Sequence, residues 1–224
     1  MNDSSSSNST RQLQRVKEAS FVILDFETVT PAGRPPEPLE LAAMRIAPDL
    51  TSDQSFRVSW LIKPPEGAPL TDFDTRQTGI RWQDIQDAPD VAHVLREFDA
   101  HLQVDSPVLV AHNARYDIGI LQRFARDCPH AASLLCIDTM ALAKHLVPQL
   151  SNYKLDTLAQ HFSLPIPQQR HRGMPDVLLT VQIFLRLIDL RLDQYPRSTI
   201  DDLLHIAGVK RKQEKHEPTQ MTLF

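Results

Sequence analysis

The hydrophobic period of this chain changes at Gly79, and that change limits the folds open to it. Upstream lie three short runs: FVILDF (21–26), LELAAMRIA (39–47) and SFRVSWLIKP (55–64). The first is almost wholly apolar between turn-formers, the pattern of a strand buried on both faces. The third alternates, with Phe56, Val58, Trp60 and Ile62 on one side, as in a half-covered antiparallel strand. Downstream, Val91, Val94, Leu95, Phe98 and Leu102 fall at helical spacing behind Pro89-Asp90. SPVLVAH (106–112) and LLCID (134–138) read as buried strands, with helical patterns at 116–127, 140–146 and 155–162 and the longest at 176–192. Strands in a meander, followed by strands alternating with helices, specify an α/β fold: a mixed sheet with helices on its faces.

The chain of 224 residues is 42% hydrophobic, enough for one domain with tails. We expect a disordered polar tail over 1–18, a folded domain over 19–194, and a tail over 195–224. In that tail, Thr199-Ile-Asp-Asp202 suits the start of a short helix that Gly208 ends. A charged linker follows, and then an apolar C-terminal peptide. Two cysteines, Cys128 and Cys136, lack zinc-finger spacing and cannot make a disulfide framework. The first twenty residues are polar, and no run approaches the roughly 18 apolar residues of a membrane span. A soluble cytoplasmic protein with no membrane partner is the expectation. The six glycines are too far apart for dinucleotide-binding, P-loop or nucleophile-elbow motifs. A net charge of 24 − 28 = −4 argues against bulk duplex binding but leaves room for an enzyme that grips one end of a strand.

Chemistry concentrates in a few acids. Asp25 and Glu27 are two apart on a strand and so share a face. The pair fits an acidic strand end in water as well as a divalent-metal site, and the apolar run before it favours the metal. Asp117 directly follows a buried strand; alone, it reads as an aspartate at a helix N-terminus. His171 and Asp176 flank the start of the longest helix, placed near Met174 or Pro175, and alone would be an exposed histidine and a capping acid.

Together these residues form the order D-x-E, D, H-x-x-x-x-D. DFET (25–28), HNARYDIGIL (112–121) and HRGMPD (171–176) resemble, in order and spacing, the three motifs of the DEDDh (DnaQ-like) 3′-5′ exonucleases. That family includes the proofreading epsilon subunit of bacterial DNA polymerase III and exonuclease X. PLELAAMRI resembles its second strand and TGI (78–80) its pre-helix turn, and the likeness runs over roughly residues 20–190. The resemblance implies a ribonuclease-H-like five-stranded mixed sheet and two-metal hydrolysis with Mg²⁺ or Mn²⁺. Asp25, Glu27, Asp117 and Asp176 would be the ligands, and His171 would take the proton from the attacking water. Oxygen ligands suit such hard ions. Thr28 and Asn113 would bind substrate, the 3′ end of DNA, single-stranded by preference, and the products would be nucleoside 5′-monophosphates. Where the family often continues with Thr-Gly, this chain has Val29, Thr30 and a proline-rich loop; Pro175 precedes the last acid.

The last five residues, Gln220-Met-Thr-Leu-Phe224, resemble the pentapeptide that bacterial proteins insert into the sliding clamp, with Gln220, Leu223 and Phe224 as its contacts. The sequence reading is therefore a metal-dependent exonuclease in replication proofreading or repair. An exoribonuclease of the same fold, since motifs do not reveal contacts to a 2′-hydroxyl, and a non-catalytic DNA-end or clamp adaptor stand as alternatives. Trp60 and Trp82 are assigned to core packing before base stacking.

Overall fold

The computed structural model describes residues 14–167 and 172–210. Five strands, β1 (Phe21–Val29), β2 (Glu37–Ile46), β3 (Ser52–Leu61), β4 (Val108–Ala111) and β5 (Cys136–Asp138), form one sheet in the order β3-β2-β1-β4-β5. The β1–β2 and β2–β3 pairs are antiparallel, and β1–β4 and β4–β5 are parallel. This is the mixed five-stranded sheet expected, a meander followed by parallel strands.

Nine α-helices occur among the described residues, besides a short 3-10 turn at Val16–Glu18: α1 (Asp72–Thr78), α2 (Trp82–Ile85), α3 (Val91–Leu102), α4 (Arg115–Arg123), α5 (Pro129–Ser133), α6 (Thr139–Leu146), α7 (Leu155–His161), α8 (Gly173–Gln194) and α9 (Ile200–Ala207). Period-2 alternation divides β1 between two cores. Phe21 and Ile23 join Ala42, Met44 and the apolar sides of α6 to α9. Val22, Leu24 and Phe26 join Leu41, Phe56 and α3 to α5. The rings of Phe21 and of Phe184 on α8 meet in a T-shaped arrangement, 5.0 Å between centroids. Asp25 and Glu27 continue the Phe21–Ile23 side, so β1 carries its acids out towards α8. A register shift between Glu27 and Thr28 leaves Leu39 as the extra residue on β2, and pairing resumes at Thr28–Pro38 and Val29–Glu37 before the proline-rich loop.

Two segments read as tail belong to the folded body. Val16 is fully buried and donates its N–H to the Ser198 carbonyl at 3.1 Å, and Ile200 donates to the Gln14 carbonyl at 2.9 Å. Helix α9 is capped by the reciprocal Thr199–Asp202 box, as the sequence suggested. It buries Ile200, Leu203 and Ala207 in the α8 core, and Val209 then donates to the Cys136 carbonyl at 3.0 Å. Composition hid the first segment because one valine in a polar stretch carries no period. Residues 1–13 and 211–224 lie outside the described residues. Both cysteines are buried; burial first, then the charges of Asp99 and Asp127, pushes the Cys128 thiol up to about 12, so it is inert.

The buried position of Val16 gives a direct test of where the domain starts. Val16→Ala is expected to lower the unfolding free energy by roughly 2 kcal/mol in denaturant melts. Lys17→Ala, at an exposed neighbour, is expected to stay within about 0.5 kcal/mol of wild type.

Candidate active site

Three carboxylates meet beside the C-terminal half of β1. Asp25, Glu27 and Asp176 each offer one oxygen, and the three oxygens lie within 4.8 Å of one another. The strand pleat supplies the first two, and the first turn of α8 supplies Asp176. The helix begins at Gly173, a residue before the predicted start, which leaves Pro175 inside the first turn where its missing N–H costs nothing.

Asp117 stands in the first turn of α4, which directly follows β4. Its Oδ1 accepts the backbone N–H of Phe26 at 3.1 Å, so the carboxyl is held between the two acids of β1 along the chain. Burial, and then the negative charge of Asp25, pushes this carboxyl well above the usual carboxylate range, against the stabilising Phe26 N–H. These all-oxygen donors fit a hard divalent cation. Three carboxylate oxygens within 4.8 Å of one another could be gathered on one such ion.

The second-motif loop is built around Asn113, whose φ of 61° lies in the left-handed region that asparagine tolerates. Its N–H donates to Asp138 Oδ1 at 3.1 Å, the oxygen that also caps α6 at Met140 N. His112 Nδ1 lies 2.9 Å from Thr139 Oγ1, so this histidine ties the loop to α6. Thr28 and Tyr116 share a hydroxyl–hydroxyl hydrogen bond of 2.5 Å, which joins the first motif to the second. Beside that bond opens a cavity of about 450 Å³ whose lining includes Pro35 and Pro36 of the loop and Asn113, Arg115, Tyr116 and Arg123 of the α4 region.

The sequence-predicted residues thus sort clearly. Asp25, Glu27 and Asp176 come together, Asp117 is bonded to Phe26 between the first two, Asn113 lines the neighbouring cavity, and Thr28 is bonded to its lining residue Tyr116. His171, Gln220, Leu223 and Phe224 lie outside the described residues. The sequence marks Arg115 and Tyr116 only as members of the second motif, and Glu40 only as part of a strand. A glutamate in the middle of an apolar strand was the available signal for Glu40, because a buried charge needs a partner. Trp60 stacks on the His101 ring, whereas Trp82 is half-exposed instead of packed in the core.

Residues 22–184 match the family model described as Exonuclease (RNase_T). A DNA polymerase III PolC-type protein of Oceanobacillus iheyensis is 33% identical over 208 residues, 92% of this chain, which in turn spans 14% of that relative. Among solved structures, exonuclease X in complex with 5′ overhanging duplex DNA has a TM-score of 0.62 at 22% identity, covering 83% of this chain and 98% of that one. A 3′-exonuclease solved in 3′-end-specific recognition of a histone mRNA stem-loop has a TM-score of 0.64 at 16% identity, covering 77% and 82%. At these identities the two structures share the fold with this chain.

The raised carboxyl of Asp117 has a consequence for stability. A folded-state pKa above the unfolded value means that the folded protein holds the extra proton, so this contribution is complete at low pH and is lost as pH rises from about 4 through the raised value. In EDTA, Asp117→Asn keeps an acceptor for Phe26 N–H and removes that loss. Its melting temperature at pH 7 is expected to exceed wild type by about 3 °C, the shift that roughly 1 kcal/mol produces at this size. Mg²⁺ or Mn²⁺ is expected to raise the wild-type melting temperature and to raise that of the variant less.

Proposed function

The chain belongs to the exonuclease family, and on that premise we propose that it is a divalent-metal-dependent 3′-5′ exonuclease acting on DNA ends. The observation that carries this reading is the convergence of Asp25, Glu27 and Asp176 on the C-terminal end of β1, with Asp117 bonded to the residue between the first two. Crevices at the carboxyl ends of strands are where open α/β sheets place their ligands.

A phosphodiester is already anionic, and attack by water concentrates further charge on its oxygens. Two Mg²⁺ or Mn²⁺ ions, held by Asp25, Glu27, Asp117 and Asp176, would supply the charge neutralisation for that attack when bound. The protein's share is preorganisation. Strand pairing fixes Asp25 and Glu27, the α8 turn fixes Asp176, and the Phe26 N–H fixes Asp117, so the ligands need little rearrangement during reaction. His171, immediately before Arg172, takes the proton from the attacking water at an imidazole nitrogen, acting as general base. Thr28 and Asn113 bind the terminal nucleotides of the strand, whose bases and phosphates suit a cavity walled by prolines, Tyr116 and arginines. The C-terminal residues Gln220, Leu223 and Phe224 recruit the enzyme to the sliding clamp during replication proofreading or repair. The names of the PolC-type relatives and the C-terminal peptide favour DNA.

The test is digestion of matched 5′-labelled single-stranded DNA and RNA with Mg²⁺ and with EDTA. A 3′-shortening ladder on DNA is expected, abolished by EDTA, with His171→Ala slowing kcat by about 10²–10⁴-fold. A ladder on RNA alone would replace the substrate with RNA 3′ ends. No ladder from the folded protein would leave the adaptor reading. For clamp recruitment, Phe224→Ala in the full chain is expected to weaken binding to a bacterial sliding clamp about tenfold or more, read by surface plasmon resonance.

A further inference from the structure

Glu40 lies in the middle of β2 and is 1% exposed. A carboxylate survives such burial when its oxygens are engaged and a cation is close. Glu40 meets both conditions through two separate elements. Its Oε1 accepts from Ser59 Oγ of β3 at 2.5 Å, and its Oε2 accepts from Arg172 Nε and from the backbone N–H of Gly173, each at 3.2 Å. Gly173 opens α8, and Asp176 follows in the same turn. The N-cap residue, Arg172, makes no side-chain capping bond, so Glu40 reaches across from the sheet to meet the N-terminal end of the helix and its positive dipole.

The packing at this point is as close as a glycine permits. A Cβ on Gly173 would lie 2.7 Å from Ala42 Cβ and 3.2 Å from Glu40 Cδ. Ala42 is the cross-strand partner of Asp25, and Glu40 is the cross-strand partner of Glu27. The two β2 residues on which α8 is seated are therefore the two that pair with the acids of β1. A short path runs from Asp25 and Glu27, through Ala42 and Glu40, to Gly173 and on to Asp176.

We propose that Glu40 is a positioning residue: it pins the first turn of α8 to β2 and so holds the Asp176 carboxylate at coordinating distance from Asp25 and Glu27. The inference rests on the metal-dependent reading of the acidic cluster. A residue serving stability alone could be an apolar side chain of similar volume, which would avoid desolvating a charge. Glu40 instead provides a directed bond to one backbone amide.

The experiment measures Mn²⁺ binding to the full chain without substrate, by calorimetry, alongside melting in EDTA and the Mn²⁺ dependence of DNA digestion. Glu40→Gln preserves volume and removes the charge that Arg172 and the helix N-terminus face. It is expected to melt cooperatively and to bind Mn²⁺ about 10–100-fold more weakly, the range found when groups supporting metal ligands are altered. Half-saturating Mn²⁺ for digestion should rise by a similar factor, with most of the rate restored at saturation. Gly173→Ala should act in the same direction through steric displacement, and if it does not fold, Glu40→Gln still decides the matter. Wild-type Mn²⁺ affinity in folded Glu40→Gln, even with a lower melting temperature, would make Glu40 merely structural and overturn the proposal. Failure of the wild-type protein itself to bind Mn²⁺ would overturn the metal reading of the cluster, a result distinguishable from the first.

Discussion

Strand β1 is covered on both faces, so none of its side chains has a choice of direction. Phe21 and Ile23 are locked into the α8 core, and Val22, Leu24 and Phe26 into the α3–α5 core. A slip of one residue would exchange the two sets and drive Asp25 and Glu27 into apolar packing. The register with β2 therefore aims the acids as well as completing the sheet. Every other part of the site arrives relative to this strand: α8 against one face, and α4 at its end through the bond from Phe26 to Asp117.

Negative charge is handled in two ways around that strand end. Glu37 and Glu40 on β2 have arginine partners, Arg123 and Arg172, so these flanking acids add little to the local field. Asp25 and Asp117 press on each other, and burial adds to the cost at Asp117. Like charges held this close cost stability, a cost that a bound cation would relieve. The polar anchors beside it, Glu40 and Asp138, are by contrast well bonded. They fix the backbone of α8 and of the second-motif loop.

Much of this was legible in the chain. The apolar run of β1 and the alternation through Phe56, Val58, Trp60 and Ile62 gave the meander, and the spacing of Val91 to Leu102 gave α3. The D-x-E pair gave a shared face, because pleat geometry is local. Helices α1 and α2 were not legible: at seven and four residues they are too short to show a period, and they are defined by the Thr71 hydroxyl, which accepts the Asp74 N–H, and by the Asp84 carboxylate, which accepts the Arg81 N–H. The burial of Val16 was hidden for a related reason, since the partners of this segment lie far along the chain: Val16 bonds to Ser198, and Gln14 to Ile200.

What the sequence determined by itself was therefore whatever depends on neighbours a few residues apart: the strands, the longer helices, the shared face of Asp25 and Glu27, and the α9 cap. The tertiary structure decided which distant groups meet. It brought Asp176 to Asp25 across some 150 residues, joined Thr28 to Tyr116, and seated Gly173 on Glu40 and Ala42. The physical reason is that a side chain's direction follows from local backbone geometry, whereas the worth of a buried charge or a missing Cβ depends on what packing places opposite it.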